Sequence, residues 1–164
     1  MIKKALFSIV LLIFIYACNK PGTTGTISCS YNYCGLTAPD SESVRINFLI
    51  DSLGLKDSGF VKDCSGLYYH IIDTGVGNFA TACNTVVVNY FGKFPGSATN
   101  FDSSTITYPL NALISGWIDG VHLIKTGGHI QLFIPPALGY GYADYQGIPA
   151  KSYLYFDIRL LQIQ

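Results

Sequence analysis

Strands dominate the hydrophobic pattern in the second half of the chain. Apolar and polar residues alternate most cleanly near the end, where Leu154, Phe156, Ile158 and Leu160 mark one face of a half-buried strand. Four earlier segments are rich in the β-branched and aromatic residues that strands favour. They are residues 66–72, residues 85–92, residues 101–110 (in which we expect a break) and residues 129–135. The pattern therefore predicts five strands after residue 65.

One short helix is predicted among these strands. It carries Trp117, the only tryptophan of the chain, between Gly116 and Gly120. We expect Gly127-Gly128 to end this helix. Strands with a single intervening helix predict an α+β domain with a mostly antiparallel sheet.

A helical periodicity precedes the strands. Its apolar positions fall at i, i+3, i+4 and i+7; they are Ile46, Leu49, Ile50 and Leu53. Residues 39–42, with the sequence Pro-Asp-Ser-Glu, supply capping residues and a first-turn acid, and Gly54 is suited to end the helix. Because one amphipathic helix is not stable alone, we expect it to pack on the following domain or on a second copy of the chain.

The first residues have the pattern of a targeting signal. Lys3 and Lys4 precede an apolar run of 13 residues, Ala5 to Ala17, which is short for a membrane span and typical of a signal peptide. The run ends in Ile-Tyr-Ala-Cys, residues 15–18, which resembles the lipobox of bacterial lipoproteins. In that class the signal is cleaved before the cysteine, here Cys18, which then carries the lipid. The alternative is an ordinary secretory signal.

These boundaries predict four parts. They are a signal peptide (residues 1–17), a lipidated cysteine with a tether (18–38), a helical extension (39–64) and the sheet domain (65–164). The predicted location is the bacterial cell envelope, with a lipid anchor in the membrane. Neither Asn19 nor Lys20 is the aspartate associated with inner-membrane retention in some bacteria, which favours the outer membrane, facing the periplasm or the surface.

Export favours disulfides, because the compartment is oxidising. Besides Cys18 the chain has four cysteines: Cys29, Cys34, Cys64 and Cys83. Four cysteines allow three pairings, of which Cys29–Cys34 is the local one, and the sequence does not choose among them. Free buried thiols are the alternative.

Composition and spacing exclude several classes of function. The chain is 49% hydrophobic and 12% charged, enough for a sizeable core, and its formal net charge is zero. No cluster of Lys and Arg follows the N-terminus, so nucleic-acid binding is not expected. The three histidines lack ligand-like spacing and there is no C-x-x-C pair, so we expect no metal. Residues 75–80 fit G-x-G-x-x-A, but a strand follows instead of a helix, so we interpret them as a turn and expect no cofactor.

An ordered set of motifs runs through the second half. They are Phe-Asp-Ser-Ser (101–104), Gly-Trp-x-x-Gly-Val (116–121), Gly-Gly (127–128), Ile-Pro-Pro (134–136), Tyr-Gly (140–141) and the final Leu-x-Phe-Asp-Ile-Arg-Leu-Leu (154–161). In order and approximate spacing they resemble the FKBP-type peptidyl-prolyl cis–trans isomerases, and the likeness covers about residues 65–164.

The resemblance implies a fold, an activity and a site. The fold is a five-stranded antiparallel sheet curled around one short helix, and the activity is isomerisation of X-Pro bonds without metal or cofactor. An apolar pocket with the Trp117 indole as its floor would hold the proline. By likeness the catalytic positions are Tyr90, Asp102, Ile114, Trp117, Tyr140 and Phe156. The substrate-binding positions are Phe101, Leu113, Ile148 and either Ile106 or Tyr108, between which the likeness is ambiguous.

Further implications concern roles and partners. In the family the backbone N–H at Ile114 and the hydroxyl at Tyr140 donate hydrogen bonds to the substrate. The partners would be proline-containing polypeptides of the cell envelope, whose folding the protein would assist, and by likeness immunosuppressant macrolides. One departure is that no basic residue follows Asp102 where some members pair an arginine with this aspartate. The alternatives are a proline-peptide binding or chaperone-like module with little catalysis, and a structural lipoprotein whose helix dimerises it.

Overall fold

The computed structural model describes residues 30–164. The targeting signal, Cys18 and Cys29 lie outside the described residues. The helices are α1 (Asp40–Ser52) and α2 (Ser115–Val121), and two 3₁₀ turns span Leu110–Ala112 and Pro136–Leu138. The strands are β1 (Val61–Lys62), β2 (Tyr68–Asp73), β3 (Val76–Phe79), β4 (Thr85–Lys93), β5 (Asn100–Pro109), β6 (Lys125–Thr126), β7 (His129–Ile134) and β8 (Leu154–Ile163).

The main sheet is antiparallel throughout and has the order β1-β2-β7-β8-β4-β5. The five predicted strands are all present in it, so the α+β prediction is confirmed. The two-residue β1 adds a sixth strand at the edge and begins before Ser65. Residues 76–79, which we interpreted as part of a turn, form β3 and pair with β6 in a separate two-stranded sheet.

Two predictions about the extent of single elements are wrong. The β5 strand runs without a break from Asn100 to Pro109, because it pairs with β4 on both sides of a one-residue register shift at Phe101, even though its side chains are largely exposed. The α2 helix ends at Val121, six residues before Gly127. Gly127 instead adopts a positive φ of 84° in the turn between β6 and β7, where a side chain would be strained.

The main core lies between α2 and one face of the sheet. Leu154, Phe156, Ile158 and Leu160 of β8 are all buried there, as their alternation predicts. The side chains of β7 alternate in the same way, so Ile130, Leu132 and Ile134 join this core while Phe133 points to the opposite face.

The α1 helix packs on that opposite face. Ile46 and Ile50 are buried against Tyr68 and Phe133, which answers the question of what covers the predicted apolar stripe. Leu53, at the end of the stripe, is 38% exposed. The helix starts with Pro39 at the N-cap and has no side-chain capping bond there, so the capping prediction is wrong.

A disulfide joins Cys34 to Cys64. Of the three pairings that the sequence leaves open, the local one, Cys29–Cys34, is therefore excluded, because Cys34 is bonded to Cys64. Cys83 is also disulfide-bonded. Just before this link, the Tyr33 ring stacks on His122 at the end of α2 with ring centroids 3.7 Å apart. The disulfide links the segment before α1 to the start of the sheet domain, and the Tyr33 ring packs that segment against the end of α2. Within residues 30–164, no helix combines the length and apolarity that crossing a membrane requires.

Candidate active site

The first turn of α2 buries Trp117 deeply, with 3% of its surface exposed. The flanking glycines allow α2 to pack closely enough on β7 for Trp117 to take this buried position. A Cβ on Gly116 would lie 2.6 Å from Cγ2 of Ile134, and a Cβ on Gly120 would lie 2.7 Å from Cδ1 of Leu132. Both distances are too short for real carbon atoms, so only glycine lets α2 lie this close to β7.

Two aromatic rings meet the indole nearly at right angles. The centroid of Trp117 is 4.9 Å from Tyr90 on β4 and 5.2 Å from Phe156 on β8, with interplanar angles of 85° and 84°. Edge-to-face packing of this kind is the favoured geometry for aromatic pairs. The Nε1–H of the indole is buried and has no acceptor among residues 30–164.

These rings form the end of a small apolar cavity of about 70 Å³. The residues that line it are Tyr90, Ile106, Leu113, Ile114, Trp117, Tyr140 and Phe156. Between the two residues that the resemblance left ambiguous, the structure places Ile106 in the cavity. Tyr108 is 46% exposed at the far end of β5 and does not line it.

Gly92 is a site residue that the sequence did not reveal. A Cβ at this position would lie 2.5 Å from Cε1 of Phe156 and 2.8 Å from Cζ of Phe101. Those two rings pack edge to face with centroids 5.7 Å apart. A glycine within an apolar strand was the available signal, since it indicates a close approach of another group.

The charged group of the site is Asp102, which β5 places opposite Gly92 of β4. Its Oδ2 accepts a hydrogen bond of 2.5 Å from the Tyr90 hydroxyl. Burial raises the pKa of Tyr90 well above its ordinary value, and the bond to Asp102 adds to this. The hydroxyl therefore stays protonated and the carboxylate stays the acceptor.

Two hydrogen-bond donors face the site without a partner. The backbone N–H of Ile114, at the N-cap of α2, makes no hydrogen bond within residues 30–164, and neither does the hydroxyl of Tyr140. Burial raises the pKa of Tyr140, and the negative charge of Asp102 raises it further, so this hydroxyl remains a donor.

A second cavity of about 210 Å³ adjoins the first and shares Tyr140 with it. Its lining comprises Phe101, Asp102, Tyr140, Tyr145, Gln146 and Ile148. The rings of Tyr140 and Tyr145 are stacked with centroids 5.0 Å apart. The two cavities together thus collect every site residue that the resemblance implied except Tyr108. Gln146 was not foreseen, because nothing marks it in the sequence.

Two larger cavities lie elsewhere, and neither contains any of the implied residues. One measures about 380 Å³ and is formed by the segment after α1, the β4–β5 loop and the face of β7 and β8 that bears Phe133. The other measures about 420 Å³ and is lined by Phe79, Ala80, His122 and Leu123. Nothing in the described part of the chain groups three or more His, Cys, Asp or Glu side chains as a metal site would require. The aromatic cavity with its two free donors is therefore the candidate active site.

Comparison with known proteins agrees with this geometry. The sequence profile of the family described as FKBP-type peptidyl-prolyl cis-trans isomerase matches residues 77–161. FkpA of Escherichia coli K12 is 39% identical over 114 residues, which are 66% of this chain and 42% of that protein. A probable FKBP-type isomerase of Haemophilus influenzae is 40% identical over 105 residues, which are 60% of this chain and 43% of that protein.

Solved structures show the same likeness. The crystal structure of Escherichia coli FkpA superimposes with a TM-score of 0.67 at 35% identity and covers 76% of this chain and 60% of its own. A peptidyl-prolyl isomerase of Pseudomonas syringae pv. tomato gives 0.64 at 25% identity and covers 79% and 99%. The chain spans less than half the length of the two curated relatives. With the profile matching more than half of its length, the chain belongs to the FKBP-type peptidyl-prolyl cis–trans isomerase family.

Proposed function

We propose that this protein isomerises X-Pro peptide bonds of proteins in the cell envelope and so assists their folding. The observation that carries the proposal is the apolar cavity in which the Trp117 ring meets the rings of Tyr90 and Phe156 nearly at right angles. The small, apolar pyrrolidine ring of proline matches such walls in size and in dispersion contacts.

The chemistry needs no nucleophile. Rotation about an X-Pro bond crosses a barrier of roughly 18–20 kcal/mol, because the planar amide loses its resonance in the twisted state. The carbonyl oxygen of a twisted amide is less polar than that of a planar one. A dry apolar cavity therefore favours the twisted state over the planar one, and this difference is what lowers the barrier.

Each polar group has a role in this scheme. The free N–H of Ile114 and the hydroxyl of Tyr140 donate to carbonyls of the bound peptide and fix its backbone. Asp102 orients the Tyr90 ring through their 2.5 Å hydrogen bond. Leu113, Ile106 and the rings of Phe101 and Phe156 exclude water. Ile148 lines the adjoining cavity.

The remaining parts of the proposal concern location and further ligands. We infer a signal peptide over residues 1–17, a lipid anchor at Cys18 with a tether to residue 38, a helical extension to residue 64 and the isomerase domain after it. The anchor would hold the protein at the outer membrane. Macrolides of the immunosuppressant class would compete for the aromatic cavity. Mass spectrometry of the membrane fraction tests the anchor, since Cys18→Ser should abolish the diacylglycerol mass.

The test of activity is the cis–trans exchange rate of a short X-Pro peptide with the purified protein. We expect catalysis that falls about tenfold or more in Trp117→Ala, falls in Asp102→Ala and is unchanged in Phe48→Ala. Phe48 is an exposed aromatic of α1 on the opposite face, so it controls for loss of a ring. Circular dichroism would show that each variant is folded. A wild type without catalysis that still changes its Trp117 fluorescence with the peptide would be a binding module instead.

A further inference from the structure

The cavity beside the candidate proline pocket differs from it in character. At about 210 Å³ it has three times the volume of the aromatic cavity, which measures about 70 Å³. The carboxylate of Asp102 and the amide of Gln146 contribute polar lining. Because Tyr140 lines both cavities, a residue next to a bound proline has direct access to the larger one.

Within residues 30–164, Asp102 forms no ion pair with a cationic side chain. Ion pairs among residues 30–164 join Lys62 to Asp40 and His129 to Asp157, and neither involves this residue. No lysine or arginine occurs in residues 94–124 or 126–150, the two segments that supply most of the site. Lys93 directly precedes the first of these segments. Its ammonium group lies 5.3 Å from the ring centroid of Tyr155, on the other face of the sheet.

The negative charge acts on the groups around the cavity. It contributes to the raised pKa of Tyr90 and to that of Tyr140. Among the described residues, the hydrogen bonds of Asp102 engage Oδ2 alone, through the Tyr90 hydroxyl, so Oδ1 is available to a second donor. The stacked rings of Tyr140 and Tyr145 add aromatic surface, which attracts an ammonium or guanidinium group placed over it.

We propose that this second cavity, which we name the Asp102 cavity, selects substrates with a lysine or arginine next to the isomerised proline. The basic side chain lies along the Tyr140 and Tyr145 rings and donates to Oδ1 of Asp102. The inference rests on the proposed isomerase function, because it names the substrate class of the same site.

The experiment compares peptides that differ only in charge. Two series carry lysine, its neutral isostere norleucine or glutamate, in one series just before the proline and in the other just after it. Exchange spectroscopy of each peptide with the protein gives the catalytic efficiency. We expect lysine to exceed norleucine by about two- to fivefold at one of the two positions, the range set by partly exposed ion pairs, and glutamate to be poorest. Added salt should reduce the ratio.

Substitutions at Gln146 assign this preference to the cavity. Gln146→Glu should increase the ratio of lysine to norleucine, and Gln146→Lys should invert it. Gln162 supplies the matched control, because it is exposed on β8 and pairs with Val87, away from the cavity. Gln162→Glu and Gln162→Lys make the same changes of net charge and should leave the ratio as it is.

The outcomes separate this inference from the proposed function. Catalysis of the norleucine peptides with a lysine ratio of one in both series would overturn the inference and leave the isomerase function standing. Equal effects of the Gln146 and Gln162 variants would overturn it as well, because the preference would then come from overall charge. If no peptide is isomerised, the isomerase function fails, and titration of Trp117 fluorescence with the same peptides decides whether the cavity prefers a basic side chain.

Discussion

The carboxylate of Glu42 in α1 accepts a hydrogen bond of 2.7 Å from the hydroxyl of Tyr142, 100 residues away in the sequence. Its other oxygen accepts from the backbone N–H of Ala137 at 3.1 Å. Glu42 is 6% exposed, so this acid from the helical extension is buried against the loop that presents Tyr140. The extension, which lies outside the segment that matches the family profile, therefore contacts the loop on both sides of the site residue Tyr140.

Removal of this carboxylate should weaken the site. We expect Glu42→Ala to lower catalytic efficiency by about three- to tenfold, less than the 10²-fold that a 1 Å misplacement near the reacting atoms can cause. The loss should appear mainly in KM, since the loop positions the donor and not the reacting bond. Glu42→Gln should retain most of the activity, because its amide oxygen accepts from Ala137 and its amide nitrogen donates to Tyr142.

Two controls separate the loop contact from a general effect on α1. Asp40→Ala removes an exposed acid from the same helix turn and should change nothing, because its contact with Lys62 is 4.0 Å and solvent-exposed. Tyr142→Phe should lower efficiency in the wild type and have no further effect in Glu42→Ala. Strict additivity of the two substitutions would contradict the coupling.

The close packing of α2 on β7 predicts the effect of adding one methyl group. Gly116→Ala places a carbon 2.6 Å from Cγ2 of the buried Ile134. Alanine favours a helix over glycine by about 1 kcal/mol, but overpacking of a core costs about 1–3 kcal/mol, so we expect net destabilisation in urea unfolding. Activity should fall as well, because Trp117 is the next residue.

The matched background is Ile134→Ala, which removes the atoms that clash. In that background Gly116→Ala should become neutral or stabilising. If Gly116→Ala alone kept full stability and full activity, the close packing of α2 on Ile134 would be contradicted.

Asp119 predicts a pH dependence of stability. It is a buried acid of α2, and burial raises its pKa to about 7, with the nearby charge of Asp63 adding to the shift. The hydroxyls of Ser65 and Tyr31 offset part of it. An acid with a raised pKa binds its proton more tightly in the folded state, so stability is lost as pH rises from about 4 to about 7.

Asp119→Asn removes this titration. At pH 8 we expect its melting temperature to exceed that of the wild type by about 3 °C or more, and at pH 4 the two should be similar because both side chains are neutral. The readout is the difference between the two proteins at each pH, which cancels the titration of other groups. A difference that does not change with pH would contradict the assignment.

The Cys34–Cys64 disulfide closes a loop with a sequence separation of 30. Loop-closure entropy then predicts that the double substitution Cys34→Ala/Cys64→Ala lowers the free energy of unfolding by roughly 3–4 kcal/mol. Substitution is preferable to reduction, since Cys83 is also disulfide-bonded. Catalysis at low temperature should persist, because neither cysteine contacts the aromatic cavity. An unchanged denaturation midpoint would contradict this prediction, because it would show that the disulfide does not restrict the unfolded chain further.

Local regularities made much of the fold predictable. The alternation of β8 and the periodicity of α1 identify buried faces without knowledge of what covers them, because each depends only on the geometry of one element. The continuity of β5 could not be predicted in this way. Its exposed side chains include few apolar residues, and it is one strand because β4 supplies backbone partners on both sides of the register shift at Phe101.

The site divides in the same way. The order of the motifs around Asp102, Trp117 and Tyr140 was enough to propose an aromatic pocket from the sequence. The need for Gly92, the choice of Ile106 over Tyr108 and the link from Glu42 to Tyr142 follow from distances between distant segments. The sequence by itself determined the elements and the candidate residues, since these arise from neighbours along the chain. Only the tertiary structure decided which of them touch, because such contacts depend on how separate elements pack.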